Sequence, residues 1–306
     1  MEHIIESQQF SRDFLFDLFQ KTDEMKKNPP KSLTGKIMCS LFYEPSTRTR
    51  LSFESAIIKL GGFVIGTENA EEFSSAVKGE SLEDSIRVIS KFVDVIVLRH
   101  FNEGSAKIAS ELSNVSLINA GDGKGQHPTQ SLLDIYTIYK EIGRIDNINI
   151  AIVGDLANGR TARSLCYLFG KFKNIKIIFV SPENLKMKDD IKNYLAKKNI
   201  KFKEEIDLNK IIGDMDIIYM TRIQKERMDP ETYEKANGKY IINEEKLKLI
   251  KEGARILHPL PHVEEIDLPI EIEKNDKRIA YFRQAENGLY IRMALLDYIL
   301  NNDNKN

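Results

Sequence analysis

Cysteine is almost missing from this chain: Cys39 and Cys166 are the only two in 306 residues. One lies in an apolar run and the other in a helical pattern, so they form no disulfide framework and no zinc-ligand spacing. That usage fits a reducing compartment, and a cytoplasmic location is expected. No apolar run approaches the length of a bilayer span. The start, Met1-Glu2-His3-Ile4-Ile5-Glu6, carries acids and no long apolar stretch, so no secretory signal is expected. An excess of either charge is also missing, with 45 Lys and Arg against 46 Asp and Glu. Without a bulk basic field, nucleic acid is not an expected partner, and any anion must be held by local geometry. No Gly-rich run leads into Lys-Ser/Thr, which excludes a Walker-type phosphate loop. Low-complexity sequence is confined to the polar tail 301–306, and no strong repeat is visible.

What is present is a regular alternation. Apolar content of 42% supports real cores, and the length suggests about two domains. Strand patterns fall at 37–42, 63–65, 95–98 and 116–119, with helical spacing at 47–60, 82–92 and 104–112; one or two short helices occupy 7–27. A longer helix is expected over 129–141. The alternation then restarts, with strands at 148–153, 175–180, 201–203, 216–220 and 255–257 and helices at 161–172, 188–197, 244–251 and 284–300. Strand–helix alternation implies α/β architecture with parallel sheets flanked by helices. Two such units joined near 128–145 is the economical reading.

The stretch Phe42-Tyr43-Glu44-Pro45-Ser46-Thr47-Arg48-Thr49-Arg50 organises the rest. A buried strand ends, the chain turns at Pro45, and a helix begins near Ser46. The first helical turn offers unpaired N–H groups and the positive end of the dipole. Hydroxyls and two guanidiniums there suit an anion, most simply a phosphate. The plainer alternative is a Ser N-cap with two solvated arginines. Glu44 would repel a phosphate, so it is expected to turn away and orient a nearby Arg.

Ligands of such sheets bind beyond the carboxyl ends of strands, and polar residues collect there. Arg99 ends the third strand; it reads either as a second anion clamp or as a surface Arg at a sheet edge. His127 follows the glycine-rich Gly121-Asp122-Gly123-Lys124-Gly125, and Gln130 lies one turn further on. His plus Gln suits a carbonyl and an amide on one small ligand, although a lone His is commonly structural. No further ligands at suitable spacing make a metal site of it. Gly154-Asp155-Leu156 breaks the dinucleotide fingerprint at its second glycine, and Asn158-Gly159 reads as a turn delivering Arg160 to a helix start, placed for a carboxylate. Arg222 and Gln224 alternate onto one side of an extended segment and suit a second carboxylate, or else form a charged surface patch with Lys225, Glu226 and Arg227. The polar run 74–80, with Ser74 and Lys78, reads on its own as an ordinary loop.

Taken together, Ser46-Thr47-Arg48-Thr49-Arg50, His127-Pro128-Thr129-Gln130 and His258-Pro259-Leu260-Pro261 resemble the carbamoyltransferase family over essentially the whole chain. The last motif, with 222–227 and Phe282-Arg283-Gln284-Ala285-Glu286-Asn287-Gly288, is similar to the aspartate branch; ornithine enzymes carry His-Cys-Leu-Pro there. The resemblance implies transfer of the carbamoyl group from carbamoyl phosphate to the α-amine of L-aspartate in de novo pyrimidine biosynthesis, without cofactor or metal. It implies a carbamoyl phosphate-binding domain of 1–132 plus 286–306 and an aspartate-binding domain of 133–285, joined by two interdomain helices. Ser46, Thr47, Arg48, Thr49 and Arg99 would hold the phosphate. Thr49, Arg99 and His127 would reach the carbonyl oxygen, while Gln130 and the backbone of Pro259 and Leu260 would hold the carbamoyl NH2. Arg160 would bind the α-carboxylate, and Arg222 with Gln224 the β-carboxylate. Ser74 and Lys78 would enter from a neighbouring chain of a homotrimer, reversing the ordinary-loop reading. Glu44 would brace Arg160 and Arg227. His262 stands where many relatives have Arg, and Ala157-Asn158 where some have Lys-Tyr. The resemblance leaves room for a separate regulatory chain. An ornithine-directed enzyme, a non-catalytic assembly subunit and a dinucleotide-dependent dehydrogenase are the competing readings.

Overall fold

The computed structural model describes residues 3–73, 78–223 and 240–302. Contacts divide the chain into two units: Met1–Leu133 with Glu286–Asn306, and Asp134–Ala285. The division falls within the helices Pro128–Ile142 and Tyr281–Asn302.

In the first unit the apolar runs form β1 (Ile37–Phe42), β2 (Phe63–Glu68), β3 (Val95–His100) and β4 (Ser116–Asp122), all parallel, in the order β2-β1-β3-β4. Helices Thr47–Lys59, Leu82–Ile89 and Ser105–Leu112 make the crossovers. β4 is buried along its whole length, as a strand covered on both faces must be. Its outer edge is covered by the N-terminal segment: Ile4 N–H donates to Leu117 O and Asn119 N–H to Ile4 O, both at 2.8 Å. The other edge strand, β2, is largely exposed.

The second unit holds β5 (Asn149–Val153), β6 (Lys176–Val180), β7 (Lys201–Glu205), β8 (Ile217–Met220) and β9 (Arg255–Leu257), parallel, in the order β7-β6-β5-β8-β9. Helices Arg160–Phe169, Asp189–Lys197 and Glu244–Leu249 accompany them. At the end of β5, Gly154 adopts φ +120°, and a Cβ there would lie 2.2 Å from the Thr221 carbonyl oxygen. β5 and β8 close on each other at that point, and only glycine fits.

All nine expected strands are present. β2, β3, β4 and β7 run two to three residues further than their expected bounds, because pairing continues through Gly66-Thr67-Glu68, Arg99-His100, Asp122 and Glu204-Glu205. The helix expected to reach 172 stops at Phe169, where Gly170 N–H closes on Cys166 O. The short helices Ala70–Phe73 and Ile270–Asn275 carry too few turns to show a period. Both cysteines are buried; burial pushes the Cys39 thiol up to about 12 and Cys166 further. No helix among the described residues is long and apolar enough to cross a membrane.

Candidate active site

Each sheet has one place where the strand order reverses direction, and there the neighbouring loops part to leave a crevice. In the first unit it lies between β1 and β3. β1 delivers the 43–46 turn and the start of the Thr47–Lys59 helix; β3 delivers Arg99, which is paired in register with Phe42.

Ser46 occupies the N-cap, yet its side chain makes no capping hydrogen bond. Ser11, Ser81 and Asn243 do cap their helices. The first intrahelical bond is Arg50 N–H to Ser46 O, so the amides of Thr47, Arg48 and Thr49 form an open first turn. Thr49 is buried, with Oγ1 3.5 Å from His127 Nε2; Thr129 Oγ1 lies 3.5 Å from the ring's other nitrogen. His127 and Gln130 are both buried at the start of the Pro128–Ile142 helix. Arg99 is mostly buried, donates to Ala120 O at 3.4 Å and pairs with Glu44 at 3.0 Å. Glu44 therefore orients an arginine, as expected from its position, and the one it meets within this unit is Arg99.

The two arginines of the turn behave differently. Arg50 is tied to Glu54 at 2.8 Å and to Glu68 at 2.5 Å, which holds its guanidinium above its ordinary value despite partial desolvation. It serves the scaffold rather than a ligand. Arg48 is exposed and has no ion pair among the described residues, and partial desolvation pulls its guanidinium below the ordinary value. Thr47 and Lys78 are also exposed. Ser74 lies outside the described residues.

In the second unit the order reverses between β5 and β8. After β5, Asp155 Oδ1 accepts the Asn158 N–H at 3.0 Å, and the Asn158 amide also bonds this carboxylate, folding the loop so that Arg160 becomes the first residue of its helix. That accounts locally for Asn158. After β8, Thr221 Oγ1 donates to Val153 O at 2.8 Å, and half-buried Arg222 follows. Gln224 and Arg227 lie outside the described residues.

The loop after β9 is built around His258. Its Nδ1 accepts the Leu260 N–H at 2.7 Å, and its Nε2 donates to Glu265 at 2.8 Å, which assigns a neutral ring with the proton on Nε2. Burial pushes the Glu265 carboxyl up, but hydrogen bonds from His258 and from the backbone outweigh it and leave it below the ordinary range. Leu260 sits at φ +58°, a strained setting for a branched side chain, and the Leu260–Pro261 bond is cis. His262 lies 3.3 Å from Glu273, with its ring 5.2 Å from Tyr281, so it braces this loop against the following helices. Sequence reasoning took the loop's backbone as functional and missed its supports, Glu265 and Glu273, which carry no motif. Among the described residues, no group of three or more His, Cys, Asp or Glu is arranged for a metal.

The candidate anion donors beside the first switch point and the arginines beside the second are accompanied by a clear kinship. Residues 2–140 match the aspartate/ornithine carbamoyltransferase carbamoyl-P binding domain and residues 146–299 the Asp/Orn binding domain of the same family. The chain belongs to the aspartate/ornithine carbamoyltransferase family. Within that family it is 53% identical, over 98% of its own length and 78% of the relative's, to aspartate carbamoyltransferase 3, chloroplastic, of Pisum sativum. It is 48% identical to the aspartate carbamoyltransferase catalytic subunit of Methanocaldococcus jannaschii over 98% of both chains. A solved structure of the M. jannaschii aspartate transcarbamoylase catalytic subunit matches with a TM-score of 0.91 at 47% identity, covering 100% of both chains. Aspartate transcarbamoylase of Trypanosoma cruzi in complex with carbamoyl phosphate and aspartate matches with a TM-score of 0.90 at 35% identity, covering 97% and 95%.

Proposed function

We propose that this chain transfers the carbamoyl group of carbamoyl phosphate to the α-amine of L-aspartate, giving N-carbamoyl-L-aspartate and phosphate for pyrimidine synthesis. The observation that carries the reading is the open helix start after β1. Ser46 leaves the cap unfilled, Arg48 is unpaired among the described residues, and Arg99 with the Thr49–His127 pair stands at the same switch point. Such a site takes a phosphate and a polar carbonyl together.

In this reading, residues 1–132 with 286–306 bind carbamoyl phosphate and residues 133–285 bind aspartate. Ser46, Thr47, Arg48, Thr49 and Arg99 hold the phosphate. Thr49, Arg99 and His127 donate to the carbonyl oxygen, which gains negative charge as the amine attacks; donors aimed there stabilise the transition state more than the ground state. Gln130 and the backbone of Pro259 and Leu260 hold the carbamoyl NH2. Arg160 takes the α-carboxylate, and Arg222 with Gln224 the β-carboxylate. No side-chain nucleophile is required. The attacking amine must be neutral, and its proton passes to the departing phosphate, which Arg48 stabilises.

The working form is a homotrimer in the cytoplasm, with Ser74 and Lys78 completing a neighbour's site. Supporting association, Leu51 and Ile58 on the Thr47–Lys59 helix and Phe63 and Ile65 on the contacting strand β2 are exposed apolar side chains. The deciding experiment assays carbamoyl transfer to L-aspartate and to L-ornithine side by side. Transfer to aspartate alone is expected; preference for ornithine, or transfer to neither, refutes the reading.

A further inference from the structure

The mechanism leaves unused a run of buried polar groups in the second unit. Asp134, Tyr219 and Gln284 are all closed to water. Tyr219 Oη donates to Asp134 Oδ2 at 2.7 Å, and Gln284 Nε2 donates to Asp134 Oδ1 at 2.6 Å. The other end of the same amide, Gln284 Oε1, accepts the His258 N–H at 2.8 Å. The bonds thus run from the Pro128–Ile142 helix, through the Tyr281–Asn302 helix, to the first residue beyond β9. A branch reaches β8 at Tyr219, two residues before Thr221. A carboxyl group in a dry interior is costly unless its acceptor sites are used, and apolar residues would pack the same space without that cost.

We propose that Asp134 is a positioning residue for the transfer reaction. It fixes the His258 N–H, and with it the loop presenting Pro259 and Leu260; through Tyr219 it fixes the end of β8 that presents Arg222. The loop has little other freedom, because Leu260 N–H folds back onto the His258 ring. If the His258 backbone turns, Pro259 and Leu260 turn with it. A misplacement of about 1 Å in a positioning group can cost roughly a hundredfold in rate. The inference rests on the assignment of this loop to the carbamoyl amide.

The network's polarity supplies the test. Asp134→Asn alone puts an amide donor where one of the two donors already points, and Gln284→Glu alone sets two carboxyl groups against each other. Together they restore these three bonds: the new amide at 134 donates to the new carboxyl at 284 and still accepts from Tyr219, while 284 still accepts the His258 N–H. Each single variant of the full chain is expected to lose about tenfold or more in kcat with loosened substrate KM, and the double variant to recover to within a few-fold of the parent. Hydrogen exchange at the His258 amide is read in parallel and needs no activity: fast in each single variant, slow again in the double. Single variants that melt earlier yet keep parental kcat, KM and His258 protection overturn the proposal, as does a double variant that rescues neither readout. A parent chain that carbamoylates no aspartate sinks the reaction assignment, while exchange at His258 still decides the network.

Discussion

At the scale of single residues, Arg48 and Arg50 share a helical turn and a charge but not a task. Arg50 is committed to Glu54 and Glu68, while Arg48 is not committed to any described carboxylate. Arg48→Ala is expected to lower kcat by roughly a hundredfold, about 3 kcal/mol of barrier, as loss of a transition-state charge donor does. Arg50→Ala is expected to leave kcat within a few-fold and to lower the unfolding free energy by about 1 kcal/mol. Steady-state kinetics and urea titration of the two variants check the contrast. Arg222→Ala is expected to raise the aspartate KM far more than that for carbamoyl phosphate; equal rises would show that the division of the site is wrong. The sequence revealed the cluster of cations but not their division of labour. The i,i+4 spacing of Arg50 and Glu54 was a local clue, whereas Glu68 arrives from a different strand and leaves no trace near position 50.

At the scale of elements, the interior strands were readable because a buried parallel strand is a continuous apolar run, whereas the charged, mostly exposed edge strand β7 was placed by the strand–helix alternation. Strand ends were not readable, because hydrogen bonding continues through polar residues once neighbours are in register. The loop after β9 shows the limit most clearly: its motif is visible, but the Glu265 carboxylate that holds it lies seven residues beyond His258 with no pattern to mark it. That carboxyl is depressed below its ordinary value of 4.5 by its hydrogen bonds despite burial. Its contribution is therefore fully present above the unfolded value and is lost as pH falls through the folded one. Glu265→Gln is expected to unfold more easily than the parent at pH 7, by about 1–3 kcal/mol. The gap should close as pH drops below about 4.5. Urea unfolding at several pH values checks this; a gap independent of pH refutes it.

At the scale of the whole molecule, the two units repeat one design. Each is a parallel sheet with candidate site residues at its switch point, and the alternation of patterns along the sequence foretold both sheets. Assembly is where one chain's sequence says least, since a surface made for a neighbour looks like any exposed loop until the neighbour is considered. If Lys78 completes another chain's site, inactive Arg48→Ala and Lys78→Ala proteins, dissociated and reassembled together in equal amounts, should regain activity at about a quarter of sites, as random mixing within a cyclic assembly requires. No recovery would mean that each chain's site is self-contained.

The margins of the first sheet carry a further consequence. One is occupied by the segment at Ile4, and the other, β2, has no such bridge among the described residues. A second copy that pairs through its own β2 turns outward a margin already occupied at Ile4, so the joined sheets offer nowhere for a third copy to attach. Growth into fibres by that route is stopped at its first step.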